Sequence, residues 1–227
     1  MSSDKIFLAL RLEGPLQSWG FDSQYNRRTT GLMPTKSAIA GICCAALGLP
    51  RGSVDEQVFL AGFGNVRMIA IAIPCNVSKK ELPVRRLLDY HTVQNTKRAS
   101  GKINNDCVLT NRQYLTDAAF GVLLEGESVF LTEIANALAD PVWGIWLGRK
   151  TCIPSAPVLA GLRENRDEAL HLLIDNIPLE SFPRQEEVEN FGDGGDSLPD
   201  APVSFATERR VFSPRRVRTE QGNKSIV

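Results

Sequence analysis

The chain of 227 residues is long enough for one sizeable core. Its 43% apolar and 23% charged residues are those of an ordinary globular protein, and its formal net charge is zero. The neutral sum excludes a uniformly basic nucleic-acid coat, and the composition excludes collagen, coiled coil and wholesale disorder.

In chain order, Ile6–Leu12 is a short apolar run closed by Glu13-Gly14-Pro15, which predicts a buried strand. A polar loop follows. Thr35 is placed as the N-cap of a helix over Ser37–Leu47, with Gly48 as its C-cap. Val66–Ile73 predicts a second strand. Cys75–Asn111 has no sustained period and is rich in Lys, Arg and Asn. Strand character returns over Tyr114–Leu124, Ser128 caps a helix to about Ala139, and Val142–Leu147 is expected as a fourth strand. Past Pro154 a short helix from Asn165 is expected, then an acidic loop over 178–202 and a strand or hairpin arm at Val203–Val211. The order strand, helix, strand, strand, helix, strand predicts an α+β, ferredoxin-like antiparallel sheet with helices on one face. Residues 1–160 are expected to form this core, and 161–227 an extension, partly loop, that packs on it.

Charge is distributed less evenly than its sum. Basic residues crowd Lys79–Lys102, acidic ones Glu180–Asp200, and arginines 209–218. Local basic patches on a neutral protein fit a subunit that meets RNA on one side and protein on another. No apolar run reaches the roughly 18–20 residues of a membrane span, and the N-terminus shows no secretory signal. No membrane contact and a cytoplasmic location are therefore expected. The five cysteines include no C-x-x-C pair, so buried free thiols are expected rather than disulfides or a zinc site, with no metal or cofactor.

Four segments carry chemistry. In Gly14–Gly20, two glycines bracket Trp19, which either stacks on a base or tucks into the core; Gln17 and Ser18 offer hydrogen bonds. Lys36 and Ser37 sit where a helix N-terminus makes a phosphate seat, unless Thr35 merely caps and Lys36 is solvated. Tyr90 and His91 follow Arg85 and Arg86 in the aperiodic stretch. They could bind unpaired nucleotides, serve metal-independent ribonuclease chemistry with His91 as general base, or do neither. Gly148-Arg149-Lys150 could put two cations near the first helix, or form a solvated charge pair. With only two histidines and no nucleophile elbow or nucleotide-binding glycine motif, the basis for an enzyme is thin.

As a set these motifs resemble the CasD family. The likeness rests on Leu8–Gly20, Pro34-Thr35-Lys36-Ser37 with Gly41, Ala46-Leu47-Gly48, Asp89-Tyr90-His91-Thr92-Val93 and Trp146–Cys152, and covers roughly residues 5–160. The resemblance implies a non-catalytic subunit of the type I-E Cascade complex, with a ferredoxin-like core and a protruding thumb at about 75–111. In that family the subunit caps the 5′ handle of CRISPR RNA and meets a backbone subunit and the large subunit that reads target DNA. The implied RNA contacts are Gln17, Ser18, Trp19, Lys36, Ser37, Tyr90, His91, Arg149 and Lys150, with Arg85 and Arg86 beside them. Relatives in another CRISPR subtype cut RNA with Tyr, Lys and His, but here no Lys lies close to His91 in the chain.

Overall fold

Strand β1 runs past the expected Leu12 to span Lys5–Gln17, and its alternation sends Leu8, Leu10 and Leu12 to one face and Phe7 and Ala9 to the other. The computed structural model describes residues 5–20, 26–77, 80–82, 84–98, 100–104 and 106–223. Lys79 and residues 224–227 of the expectations above lie outside these. A two-residue strand, β2 (Arg27–Arg28), precedes helix α1 (Lys36–Leu47). Thr35 caps α1 by accepting from the Ala38 N–H, and Gly48 closes it in the left-handed region at φ 69°. Helix α2 (Val54–Gly64) has no counterpart in the sequence reading; Ser53 caps it by accepting from the Glu56 N–H.

Strand β3 (Arg67–Ile73) leads into the aperiodic stretch, which is a set of β-ribbons rather than coil. It comprises the small pair β4 (Cys75–Val77) and β5 (Lys80–Leu82), the long β6 (Arg85–Val93), and a tip pair, β7 (Thr96–Lys97) and β8 (Ile103–Asn104). Strand β9 (Val108–Glu127) serves two structures at once: its first half pairs with β6, its second half with β1 and β3. Asp117, at φ 51°, marks where it leaves the central sheet. The β6–β9 ribbon therefore forms an arm about 30 Å long. Leu88 and Tyr90 on it are 61% and 62% exposed.

Helix α3 (Ser128–Ala139) starts as expected, but its cap is Glu127 and no side chain bonds there. The fourth strand falls elsewhere than expected. Val142–Leu147 is not a strand: Pro141 and Gly144 bend it, and the Val142 and Trp143 N–H groups donate to Ala46 and Ala45 carbonyls at the end of α1. The strand that pairs with the outer edge of β1 is β10 (Leu159–Arg163). Helix α4 (Arg166–Ile174) follows, capped by Asn165. Strands β11 (Arg184–Glu187) and β12 (Asp196–Ser204) fall within the loop expected over 178–202, and β13 (Val211–Glu220) pairs with β12; most of the strand expected at Val203–Val211 is the turn between these two.

The sheet order is β10-β1-β9-β3-β11-β13-β12, with every neighbour on that path antiparallel. Among the described residues the fold is a mixed α/β arrangement of one large, mostly antiparallel sheet, two small ribbons and four α-helices. The expected helices on one face are corrected to helices on both. Residues of α1, α2 and α3 join Leu8, Leu10 and Leu12 in the main core, whereas Ala169, Leu170, Leu173 and Ile174 of α4 cover Ala9, Ile71 and Leu123 on the reverse. Burying that second apolar face removes it from water at about 25 cal/mol per Å2, which the first core alone would leave exposed. Among the described residues no helix is long and apolar enough to cross a membrane, and no group of three His, Cys, Asp or Glu could hold a metal ion.

Cys43, Cys44 and Cys152 are buried, but Cys107 is exposed. Burial pushes the Cys43 thiol far up, Cys44 to about 12, and Cys152 upward. Only thiolates alkylate readily. Iodoacetamide at pH 8 is expected to label Cys107 in the native chain and to reach these three only after denaturant, as peptide mass spectrometry would show; native labelling of Cys43 would refute the packing of α1.

Candidate nucleic-acid interface

Helix α1 presents small residues four apart, Ser37, Gly41 and Ala45, as the floor of a cleft of about 490 Å3. A Cβ at Gly41 would meet nothing within 4 Å, so the floor is open there. Beside it stands the segment Trp143–Lys150, tied to α1 through the Val142 and Trp143 N–H groups and to the end of β1 by the Ser18 N–H, which donates to the Leu147 carbonyl at 3.0 Å. Gly148, at φ 101°, makes this approach possible: a Cβ would lie 1.8 Å from the Ser18 carbonyl oxygen.

The loop that Gly148 positions carries Arg149 and Lys150. Arg149 donates to the Gln113 and Arg28 carbonyls, both at 2.9 Å, and lies 4.6 Å over the Tyr114 ring. It clips the loop to the base of the arm and to β2. Lys150 stands 5.8 Å from the Trp146 ring centre, and its side chain is exposed. Trp143 is 45% exposed. Among the described residues the charged lining consists of five cations (Arg28, Arg51, Arg149, Lys150 and Arg210) and one carboxylate, Glu56. Glu56 is itself buried, accepting from the Gly52 and Phe205 N–H groups. An open floor, clustered guanidinium groups and an exposed indole are what a flexible, negatively charged strand with unpaired bases requires.

Ser18, Ser37, Arg149 and Lys150 of the sequence-derived set meet in this cleft. Three others lie beneath it. Trp19 is fully buried, its ring edge-on to Phe120 at 6.3 Å, so no indole face is left for stacking. Gln17 is fully buried and donates to the Leu12 and Ala118 carbonyls, tying β1 to β9. Lys36 is 1% exposed; its Nζ donates to the Val66 carbonyl at 2.7 Å and to both Glu187 oxygens at 2.8 and 3.0 Å. Burial holds this amine below the ordinary lysine value, against the opposing pull of Glu187.

The helix N-terminus is likewise filled from within. The Lys36 N–H donates to Asp200 Oδ2 at 2.9 Å, and Arg215 grips the same carboxylate with two bonds of 2.6 and 3.0 Å. The positive end of α1 that reads in sequence as a phosphate seat is thus occupied by a carboxylate of β12. Desolvation explains the displacement: a charge buried this deeply needs a fixed partner, and the acidic strands provide two.

Arg85, Arg86, Tyr90 and His91 are on the arm, apart from the cleft lining. Tyr90 and His91 are successive residues of a strand and project to opposite faces. The His91 Nδ1 is 3.8 Å from Asp89. Sequence reasoning missed Arg28, Arg51, Trp143 and Phe212 in the lining. No local motif marks them, because four separate segments bring them together.

A family model described as CRISPR-associated protein (Cas_Cas5) matches residues 7–218. The chain is 30% identical over 176 residues to the CRISPR system Cascade subunit CasD of Escherichia coli (strain K12), covering 74% of this chain and 76% of that protein. Among solved structures it is similar to a chain of a CRISPR RNA-guided surveillance complex, with TM-score 0.74 and 26% identity over 94% of this chain and 88% of that one. It is also similar to a structure described as that of a Cas protein, with TM-score 0.65 and 32% identity over 94% and 93%. With a family model spanning both the central sheet and the C-terminal strands, this chain belongs to the Cas5 family of CRISPR-associated proteins.

Proposed function

We propose that this chain is a non-catalytic subunit of a type I-E Cascade complex, working in the cytoplasm, that binds and caps the 5′ handle of CRISPR RNA. The observation that carries the reading is the cleft on α1, with five cations, an exposed tryptophan and a small-residue floor. The similarity to a Cascade subunit and to a chain of an RNA-guided surveillance complex supports the choice of RNA. The order β10-β1-β9-β3 supports reading the core to about residue 160 as ferredoxin-like, with 161–227 as its extension. In that architecture RNA commonly lies on the open sheet face. Here α4 covers that face, which directs RNA to the cleft instead.

On this reading the arm is the thumb that reaches a neighbouring backbone subunit. Its exposed Leu88 and Tyr90 suit protein contact, and Arg85 and Arg86 at its root suit phosphate. Another face meets the large subunit, so target DNA is engaged only through the complex. The divergence of Tyr90 and His91 supports binding over cleavage, since a ribonuclease must aim both at one phosphate.

The test is purified protein with labelled CRISPR repeat RNA in EDTA, read on native and denaturing gels. Intact, retained RNA is expected, with log K falling against log salt by about 0.7 per neutralised phosphate, or roughly 3.5 if all five cations pair. A flat salt response, or discrete cleavage lost in His91→Ala, would overturn the proposal.

A further inference from the structure

The hairpin of β12 and β13 reaches back over the molecule to the start of α1. Its tip, residues 205–210, lies between Ser204 and Val211, the last paired positions of the two strands. Two tethers fix it. Asp200 accepts from the Lys36 N–H at the start of α1 and is held by Arg215, and Glu56 at the start of α2 accepts from the Phe205 N–H at 3.3 Å. This anchoring presents two side chains to the cleft. Phe212, 41% exposed, is braced by Phe205 with ring centres 6.4 Å apart, and Arg210 is exposed beside it.

We infer that this tip, with the adjoining start of β13, is a wall of the RNA cleft, where Phe212 stacks on an unpaired base and Arg210 pairs with a phosphate of the same strand. The inference rests on the handle-binding reading above and adds a binding element to it that lies outside residues 5–160. An aromatic ring exposed in a cleft is costly in water and gains from stacking on any base, so the contact selects unpaired nucleotides rather than a sequence. A guanidinium beside the ring fixes the backbone of the stacked nucleotide. The tethers supply the rigidity: a hairpin pinned at its shank and at its tip need not order itself when RNA arrives.

The experiment is fluorescence anisotropy of labelled single-stranded handle RNA with the full chain and four variants. Phe212→Ala is expected to weaken binding about tenfold and Phe212→Tyr to restore most of the loss. Arg210→Ala is expected to lower the slope of log K against log salt by about 0.7. Both positions are exposed, so thermal melting should be unchanged. Lys150→Ala, on a different wall, is the reference and should weaken binding as well. Loss of affinity in Lys150→Ala with wild-type binding in both tip variants would refute the hairpin as a wall and leave the handle reading standing. Wild-type binding in all three truncations would refute the cleft itself. Equal weakening by Phe212→Tyr and Phe212→Ala would refute stacking as the contact.

Discussion

Trp19→Ala is expected to lower the free energy of unfolding by about 3–5 kcal/mol, a large share of a domain's whole stability. The indole is fully buried between the end of β1 and the body of β9, edge-on to Phe120. Its backbone N–H donates to the Thr30 hydroxyl and its carbonyl accepts from Gly31, so it also anchors the chain as it leaves the sheet. Truncation removes the ring's transfer free energy and opens a cavity in the main core that the surrounding side chains close only in part. Trp19→Phe should cost less, because Nε1 has no hydrogen-bond partner among the described residues and its removal forfeits nothing. Urea unfolding followed by circular dichroism measures both. The RNA readout separates the two roles this residue has in sequence. Were Trp19 a stacking platform, its alanine variant would melt like wild type and bind RNA weakly; here Trp143→Ala is the variant that should behave so.

What could be read from the sequence, and what could not, divides on whether the signal is local. Helix α1 is legible to within one residue because Thr35 and Gly48 are local chemistry: a hydroxyl that accepts from an N–H three residues on, and a glycine in the left-handed region. Three central strands, β1, β3 and β9, lie where their apolar runs point, but the edge strand is Leu159–Arg163 and not the expected Val142–Leu147. An apolar run next to Pro141 and Gly144 has the composition of a strand while its N–H groups are spent on the end of α1. Helix α2 was missed because Val54 and Val58 lie on its exposed side and blur the period of its buried face. The acidic run at 180–200 and the arginines at 209–218 were seen as charge, but their pairing is a matter of register. Glu186 stands opposite Arg218 and Leu198 opposite Arg215 only once β11, β13 and β12 lie side by side. Among the site residues, residue type alone could not tell Trp19 from Trp143, or Lys36 from Lys150: one of each is buried and one is exposed, a distinction made by packing.

Lys36→Met is expected to cost about 3–5 kcal/mol of stability, because it breaks a buried, charge-balanced quartet from one side. Lys36 and Arg215 face Glu187 and Asp200, all four at least mostly buried. Without the ammonium, the Val66 carbonyl loses its donor from Lys36, and among the described residues Glu187 keeps Arg215, at 3.7 Å, as its ion-pair partner. Pairing the change with Glu187→Leu removes the stranded charge and leaves the Arg215–Asp200 pair intact, so the double variant should recover at least half of the loss. The pH dependence gives an independent check. Since folding lowers the amine's pKa beneath its ordinary value of 10.5, the unfolded state binds more protons between the folded value and that one. Lys36 therefore makes the wild type gain stability as pH rises through that interval, a contribution absent from Lys36→Met. The phosphate-seat reading makes the opposite forecast: unchanged urea midpoints in Lys36→Met, with the salt slope of RNA binding smaller by about 0.7. A helix start that holds its own carboxylate has its N–H donors already engaged, so the quartet's work is to seat the C-terminal strands on α1, and its loss should be read first in their amide exchange.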